Sequence, residues 1–157
     1  MSQSIGPQLR HYWQKCSGLP FGKTLFSKLL GFMVPYTGTI GARVEHLEPG
    51  HGKVSLRMRR KVSNHLRSVH AIALINMAEM STGLSLLNSL PDNTRGILTG
   101  IQMQYFKKAR GLLMAECYCD IPTTNQEQEM NISADIKDEA GEVVATGKAT
   151  WLIGPEK

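Results

Sequence analysis

Three polar residues mark the start and the middle of a long apolar stretch: Asn64, His70 and Glu79. A charge among so many apolar residues costs several kcal/mol unless it is paired or used. A carboxylate can deprotonate water or attack a carbonyl carbon directly. The free N–H groups at the start of a helix can stabilise the oxyanion that such an attack creates. These residue types therefore indicate chemistry at an acyl carbonyl.

A helix must position these groups. Ser68 is a favourable N-cap, and the apolar pattern predicts a helix from Val69 to Leu87. Ala71 then lies in the first turn, where its N–H can serve as an oxyanion donor. Glu79 is eight residues further on, about 12 Å along the helix axis, so one carbonyl cannot contact both residues. If both act, the site is shared between two chains across a two-fold interface.

Each of these residues also has a structural alternative. Asn64 can cap a turn, or it can add a side-chain N–H to the oxyanion site. His70 can orient the loop by hydrogen bonding, and Glu79 can pair with an arginine or with Asn76. The apolar surroundings of Glu79 should raise its pKa. No metal site is expected, because His65 and His70 are five residues apart and no Cys/His cluster has ligand spacing.

The rest of the chain predicts one α+β domain over residues 1–157, with a helical segment (1–35) packed on it. In that segment Leu25, Leu29, Phe32 and Met33 are predicted to lie near one helix face. Six strand-like segments follow, two before the long helix and four after it: residues 37–48, 52–62, 97–107, 111–121, 127–137 and 142–153. A helix that is apolar nearly all round must be covered on most sides, so we expect a curved antiparallel sheet wrapped around it.

The spacing of Asn64, His70 and Glu79 resembles the active segment of hotdog-fold acyl-CoA thioesterases of the phenylacetate-pathway type. In that family an Asn precedes the helix, His-Gly-Gly opens it, and an acidic residue follows two turns later. Three flanking stretches also resemble the family: EPGHGKV, QYFKKARG and EVVATGKATWLI. The resemblance covers about residues 30–153 and is closest to a divergent, uncharacterised thioesterase-like branch.

The chain departs from the family pattern at two places. It has His70-Ala71-Ile72 in place of His-Gly-Gly, and Glu79 in place of the usual Asp. Ala71 supplies the same backbone N–H as glycine, whereas the bulky Ile72 would narrow an acyl channel.

The resemblance implies a hotdog fold and hydrolysis of acyl-CoA thioesters to the free acid and CoA. Glu79 would activate water, as a general base or as a nucleophile, and the N–H of Ala71 with Asn64 would stabilise the oxyanion. His70 would orient the loop. The resemblance also implies a site shared between subunits of a homodimer or a dimer of dimers.

Charge is unevenly distributed along the chain, which carries a net charge of +5. Residues 57–70 contain five Lys or Arg and no acid, and a basic patch suggests an anionic partner such as nucleic acid, a membrane or a phosphorylated small molecule. Coenzyme A carries phosphates, and the resemblance implies that Lys107, Lys108 and Arg110 contact its nucleotide. CoA enters as part of the substrate, so no separate cofactor is expected.

Other partners and other functions are weighed on the same grounds. No nucleic-acid-binding motif is recognisable, and no apolar run approaches the roughly 18 residues of a membrane span, so neither nucleic acid nor stable membrane insertion is expected. The absence of an apolar leader and the odd count of three cysteines favour the cytoplasm. Two rival functions stay open: a non-catalytic acyl-CoA or lipid-binding hotdog module, and a hotdog hydratase or dehydratase that uses His70 and an acid.

Overall fold

The computed structural model describes residues 5–156. Within that range the chain forms four α-helices: α1 (Ile5–Cys16), α2 (Gly22–Met33), α3 (Pro35–Gly38) and α4 (Ala71–Leu87). It also forms six strands: β1 (Arg43–Glu48), β2 (His51–Arg57), β3 (Thr94–Tyr105), β4 (Leu112–Tyr118), β5 (Gln128–Lys137) and β6 (Val143–Pro155). The predicted order of helices, two strands, a long helix and four strands is confirmed.

All six strands belong to one antiparallel sheet, in the order β1-β2-β4-β5-β6-β3. Helix α4 contacts every one of these strands. A single helix can touch all strands of a sheet only if the sheet curves around it. The predicted hotdog fold, with a curved antiparallel sheet around a central helix, is therefore confirmed.

The first two predicted strands are shorter than expected. The strand predicted over 37–48 begins only at Arg43, because α3 and a turn through Gly41 at φ 60° occupy the residues before it. The strand predicted over 52–62 ends at Arg57, and the chain then enters a short 3-10 turn, Arg60–Val62. That turn lies beside the start of α4, since the N–H of His70 donates to the carbonyl of Val62 at 2.8 Å.

The N-terminal helices pack on the sheet through α2. Phe26 is fully buried, and Leu29 and Met33 contact the same core. The prediction that Leu25 and Phe32 share this inward face is wrong, because they are 48% and 86% exposed. Apolar residues occupy both sides of α2, so periodicity alone does not determine which side is buried. No helix within residues 5–156 is long and apolar enough to cross a bilayer.

Helix α4 lies directly against β6 because of a glycine. A Cβ added at Gly147 would lie 2.5 Å from the Cβ of Ala78 on the helix. Substituting Gly147→Ala should therefore lower the free energy of unfolding by about 1–3 kcal/mol through overpacking, as measured by urea denaturation. The matched control is Gly100→Ala on β3, where the added Cβ would have its nearest neighbour, Thr150, at 4.0 Å. That change should stay within about 0.5 kcal/mol, and equal losses in both variants would contradict the close helix–strand contact.

Candidate active site

The start of α4 is capped by His70. Its Nδ1 accepts a hydrogen bond from the N–H of Ile72 at 3.1 Å. The prediction that Ser68 caps a helix beginning at Val69 is wrong by two residues. The Ser68 hydroxyl instead donates to Asn64 Oδ1, and the Val69 N–H donates to the Ala109 carbonyl. A ring nitrogen that accepts from the helix backbone gives His70 the orienting role that the sequence analysis expected of it.

The N–H of Ala71 is free at this helix start. It donates to no group within residues 5–156, as expected for the first residue of a helix. The backbone on its other side is fixed, since the Tyr105 hydroxyl donates to the Ala71 carbonyl at 3.1 Å. The helix dipole adds partial positive charge here. A carbonyl oxygen that gains negative charge would therefore be stabilised at this N–H.

Asn64 holds the loop before the helix together. Its Oδ1 accepts three hydrogen bonds, from the N–H groups of Leu66 (2.9 Å) and Ser68 (3.2 Å) and from the Ser68 hydroxyl (3.1 Å). Asn64 therefore caps a turn, which was one of the two roles considered for it. The same arrangement fixes the orientation of the amide, and no bond from its NH₂ group to another residue within 5–156 is formed. The donors needed for an oxyanion thus remain free.

Glu79 lies on the outward side of α4, where Ile72 is exposed and Ile75 is half-buried. Its own side chain is half-buried, and its carboxylate has no hydrogen bond or ion pair within the described chain. The alternative that it pairs with an arginine or with Asn76 is not observed. Burial raises the pKa of Glu79, as the sequence predicted, with no neighbouring cation to offset the effect.

The segment that contains the predicted CoA-binding cations lies beside the Asn64 loop. Val69 N–H donates to the Ala109 carbonyl at 2.8 Å, and Arg110 Nε donates to the Arg67 carbonyl at 2.9 Å. Lys107 forms ion pairs with two acids of the β5–β6 turn, Asp138 and Glu142. Lys108 is exposed and unpaired among the described residues. The three cations therefore have different surroundings. Lys107 is ion-paired, Lys108 has no partner among the described residues, and Arg110 donates to the backbone of the Asn64 loop.

A cavity of about 250 Å³ opens beside the start of α4. Its lining includes His70, Ile72 and Asn76. Asn76 is only 4% exposed, and neither atom of its amide has a hydrogen-bond partner within residues 5–156. The sequence analysis considered Asn76 only as a partner for Glu79. A polar residue in the middle of a long apolar run was the available signal.

A second, larger cavity of about 680 Å³ lies between α2, α3, β1 and α4. Met80 of α4 contributes to its lining, and Thr39, which follows α3, lines both cavities. Most of the larger cavity is therefore formed by the N-terminal helical segment.

Two further clusters lie away from the α4 start. On the β1–β2 hairpin, one ligand atom from each of His46, Glu48 and His51 lies within 4.8 Å of the others, a grouping that the metal analysis of the sequence missed. Two of their ring nitrogens are already engaged, His46 with Glu48 at 3.3 Å and His51 with Glu116 at 2.8 Å.

Two cysteines lie at the end of β4, one within the strand and one directly after it. Cys117 is buried, and burial raises its thiol pKa to about 11. The pKa of Cys119 rises to about 12 for the same reason. Both thiols are therefore protonated at neutral pH and poor nucleophiles.

The sequence matches the family described as Domain of unknown function (DUF4442) over residues 22–153. The chain belongs to the DUF4442 family. The match includes α4, the loop that contains Asn64 and His70, and the six strands except the last two residues of β6. It also includes α2 and α3, so the helical layer around the larger cavity is part of the DUF4442 domain. Among curated proteins, none matches this sequence significantly.

Several solved structures share the fold of this DUF4442 chain. The crystal structure of the protein called genomics APC5556 is 27% identical, covers 96% of this chain and 98% of its own, and has a TM-score of 0.80. A Pseudomonas aeruginosa protein of unknown function, PA5026, described as a probable thioesterase, is 24% identical over 88% of this chain and 97% of its own, with a TM-score of 0.76. The thioesterase SAV0944 from Staphylococcus aureus is 17% identical over 77% of this chain and 99% of its own, with a TM-score of 0.68. The predicted likeness to structures described as thioesterases is therefore found, and at these identities it shows a shared fold.

Proposed function

We propose that this protein hydrolyses acyl-CoA thioesters to the free acid and CoA. The observation that carries the proposal is Glu79, a half-buried carboxylate with no partner, on the helix whose first N–H is also free. The Glu79 carboxylate can act as a base and the Ala71 N–H can act as a donor, and neither is used in a hydrogen bond within the described residues. The description of structural neighbours as thioesterases supports the same reaction.

The proposed reaction uses only side chains and backbone groups that the protein itself supplies. The thioester oxygen accepts hydrogen bonds from the Ala71 N–H and the Asn64 amide, which stabilise the charge it gains. Glu79 takes a proton from water, and the oxygen of that water forms a bond to the carbonyl carbon. The carbon–sulfur bond then breaks, and the CoA sulfur leaves with the proton held by Glu79. His70 positions the helix start through its bond to Ile72.

We place each site between two subunits. Ala71 and Glu79 are about 12 Å apart along α4, too far for one water and one carbonyl to join them. Strand β3 has twelve residues and a free edge within the described sheet. Long edges of this kind are usually paired or covered. A second copy aligned along β3 would also cover the apolar residues exposed nearby, which include Ile97 and Phe106.

We further propose that the segment from Lys107 to Arg110 binds the CoA nucleotide. Replacing both Lys107 and Lys108 with Ala should raise KM for CoA esters about tenfold, because charged hydrogen bonds to phosphate are lost. The dependence of KM on salt should also weaken. Steady-state kinetics at several salt concentrations measures both effects.

A thioester that lacks the nucleotide provides the control for this prediction. Acyl-N-acetylcysteamine should be hydrolysed almost equally by the parent protein and the double variant. An equal loss on both substrates would refute the nucleotide assignment. Glu142→Gln is a matched variant, since it removes one ion-pair partner of Lys107 while leaving the cation in place.

The two rival functions give different results in the same experiments. A non-catalytic module would bind CoA esters in a calorimeter without releasing thiol. A hydratase would consume the absorbance of an enoyl-CoA and would lose all activity in a His70→Ala variant. The structure favours hydrolysis over hydration, because His70 Nδ1 is already engaged at the helix start. Free thiol released in step with free acid supports the proposed function.

A further inference from the structure

Asn76 differs from three other buried polar side chains of α4, because each of those three forms a hydrogen bond. Ser85 donates to the Cys117 carbonyl at 2.9 Å, and Thr82 accepts from the Trp151 indole at 3.3 Å. Ser81 donates to the Ala78 carbonyl. Asn76 alone of these has a donor and an acceptor, both buried, with no partner inside the described chain. Such groups are rare in folded proteins, and each one calls for an explanation.

The surroundings of Asn76 supply space for a ligand. The 250 Å³ cavity that it lines holds several times the roughly 30 Å³ that one water occupies in the liquid. Val62, Ile72 and Ala73 give this cavity apolar walls, and His70 lies at the helix start. The cavity can therefore accommodate a small organic group that presents one polar function to the amide.

The position of Asn76 connects this cavity to the proposed reaction. It follows Ala71 by five residues, about 7.5 Å along the axis, and helical side chains lean towards the N-terminus. Five residues also turn the helix by about 140°, so an oxygen bonded to the Asn76 amide would lie several ångströms from a carbonyl held at Ala71, within reach of a short acyl chain. This is the part of a bound acyl group nearest the thioester.

We propose that Asn76 is a specificity-determining residue that hydrogen-bonds a hydroxyl on the acyl chain, so that the cavity selects hydroxyacyl thioesters. The proposal rests on the acyl-CoA function proposed above. A hydroxyl offers both a donor and an acceptor, which matches the two unpaired atoms of the amide. A keto oxygen would satisfy the NH₂ group alone, and a carboxylate would also face the amide oxygen unfavourably. A plain aliphatic chain would leave both atoms unpaired.

Calorimetry on the full chain tests this selection without requiring hydrolysis. The probes are β- and γ-hydroxybutanoyl-CoA, compared with butanoyl-CoA. We expect one hydroxylated ester to bind at least about tenfold more tightly than butanoyl-CoA, because its hydroxyl pairs with the buried amide, which the plain ester leaves unpaired. In Asn76→Leu, which keeps the number and branching of the side-chain heavy atoms and removes the polar ones, this ratio should fall to about one.

Two controls separate this role from a structural one. Ile75→Leu lies on the same helix but does not line the cavity, so it should preserve the ratio. The unliganded Asn76→Leu protein should melt at a higher temperature than the parent, since it no longer buries two unpaired polar atoms. A lower melting temperature in both Asn76→Leu and the smaller Asn76→Val would show that the amide is satisfied in the free protein, by water or a second copy, and would overturn the proposal.

The outcomes distinguish this inference from the proposed function. Binding with the expected preference but no thiol release would refute hydrolysis and leave the selection by Asn76 intact. Thiol release with equal binding of plain and hydroxylated esters would refute the selection and leave hydrolysis intact. A preference that survives in Asn76→Leu would assign it to another residue. If no CoA ester binds, both proposals fail.

Discussion

Replacing Glu79 with Gln should reduce kcat for acyl-CoA hydrolysis by about 10²–10⁴-fold, the range that a general base contributes. The amide has nearly the same shape but cannot accept a proton from water. Substrate binding should change little, so KM should stay near the parent value. Thiol-release kinetics with purified protein measures both constants. Glu129→Gln, an exposed acid on β5, is the matched control and should retain full activity.

The pH dependence of the parent protein follows from the burial of Glu79. Its pKa is raised, and only the ionised carboxylate can act as a base. The kcat should therefore rise with pH through that raised pKa, above the usual range of a glutamate, and then level off. The small residual activity of Glu79→Gln should lack this rise. A rate independent of pH across the same range would contradict the assigned base.

Stability gives a second test of Glu79 that does not depend on activity. Because the folded-state pKa is raised above the unfolded value, folding favours the protonated carboxyl. The stabilising contribution is present below the unfolded pKa and is lost as pH rises through the folded pKa. The Glu79→Gln protein should therefore be more stable than the parent at neutral pH, and the difference should shrink in acid.

Mixing two inactive variants should restore activity if the site is shared. One chain carries Glu79→Ala, and the other carries Asn64→Asp, which keeps the loop-holding Oδ1 and removes the amide donors. Each homodimer alone should be nearly inactive. In a mixed dimer one site collects both lesions and the other collects none, so random pairing should restore about a quarter of the parent activity.

The control for this experiment is proof of subunit exchange. A mass tag on one chain shows by native mass spectrometry that mixed dimers have formed. If mixed dimers are as inactive as the Glu79→Ala and Asn64→Asp homodimers, the shared site is contradicted. Glu79 would then be a structural residue. A chain that carries both substitutions, mixed with the parent, is a further reference: its mixed dimer has two sites with one lesion each.

The fold was largely predictable because the chain has one helix that needs cover on nearly every side. Alternating strand patterns around that helix leave few arrangements other than a wrapped sheet. The errors occurred where local signals compete. The predicted cap, Ser68, lies two residues before the observed cap, His70, and the hydrogen bond from the Val69 N–H to the Ala109 carbonyl keeps Val69 outside the helix. Helix α2 is apolar on both sides, and its packing against β1 and against Trp13 of α1 decides that Phe26 is buried.

The sequence supplied candidate site residues, but it did not supply their surroundings. The spacing of Asn64, Ala71 and Glu79 indicated chemistry, and a turn role for Asn64 was an open alternative. The sequence did not show that the oxygen of the amide holds the loop while its NH₂ group stays free among the described residues. The ion pairs of Lys107 depend on the β5–β6 turn, which is far away in the sequence. The lack of hydrogen-bond partners at Asn76 depends on three-dimensional packing. The same residue in the same stretch of sequence could equally have a partner, so the sequence alone does not reveal it.

Release of free thiol from a panel of acyl-CoAs, measured side by side for the parent protein and Glu79→Gln, tests the central claim most directly. The panel should include short, long, aromatic and hydroxylated acyl groups. We predict turnover of at least one CoA ester by the parent, with a loss of at least about 10²-fold in the variant. No thiol release from any ester, or equal rates for the two proteins, would contradict the proposed hydrolysis by Glu79.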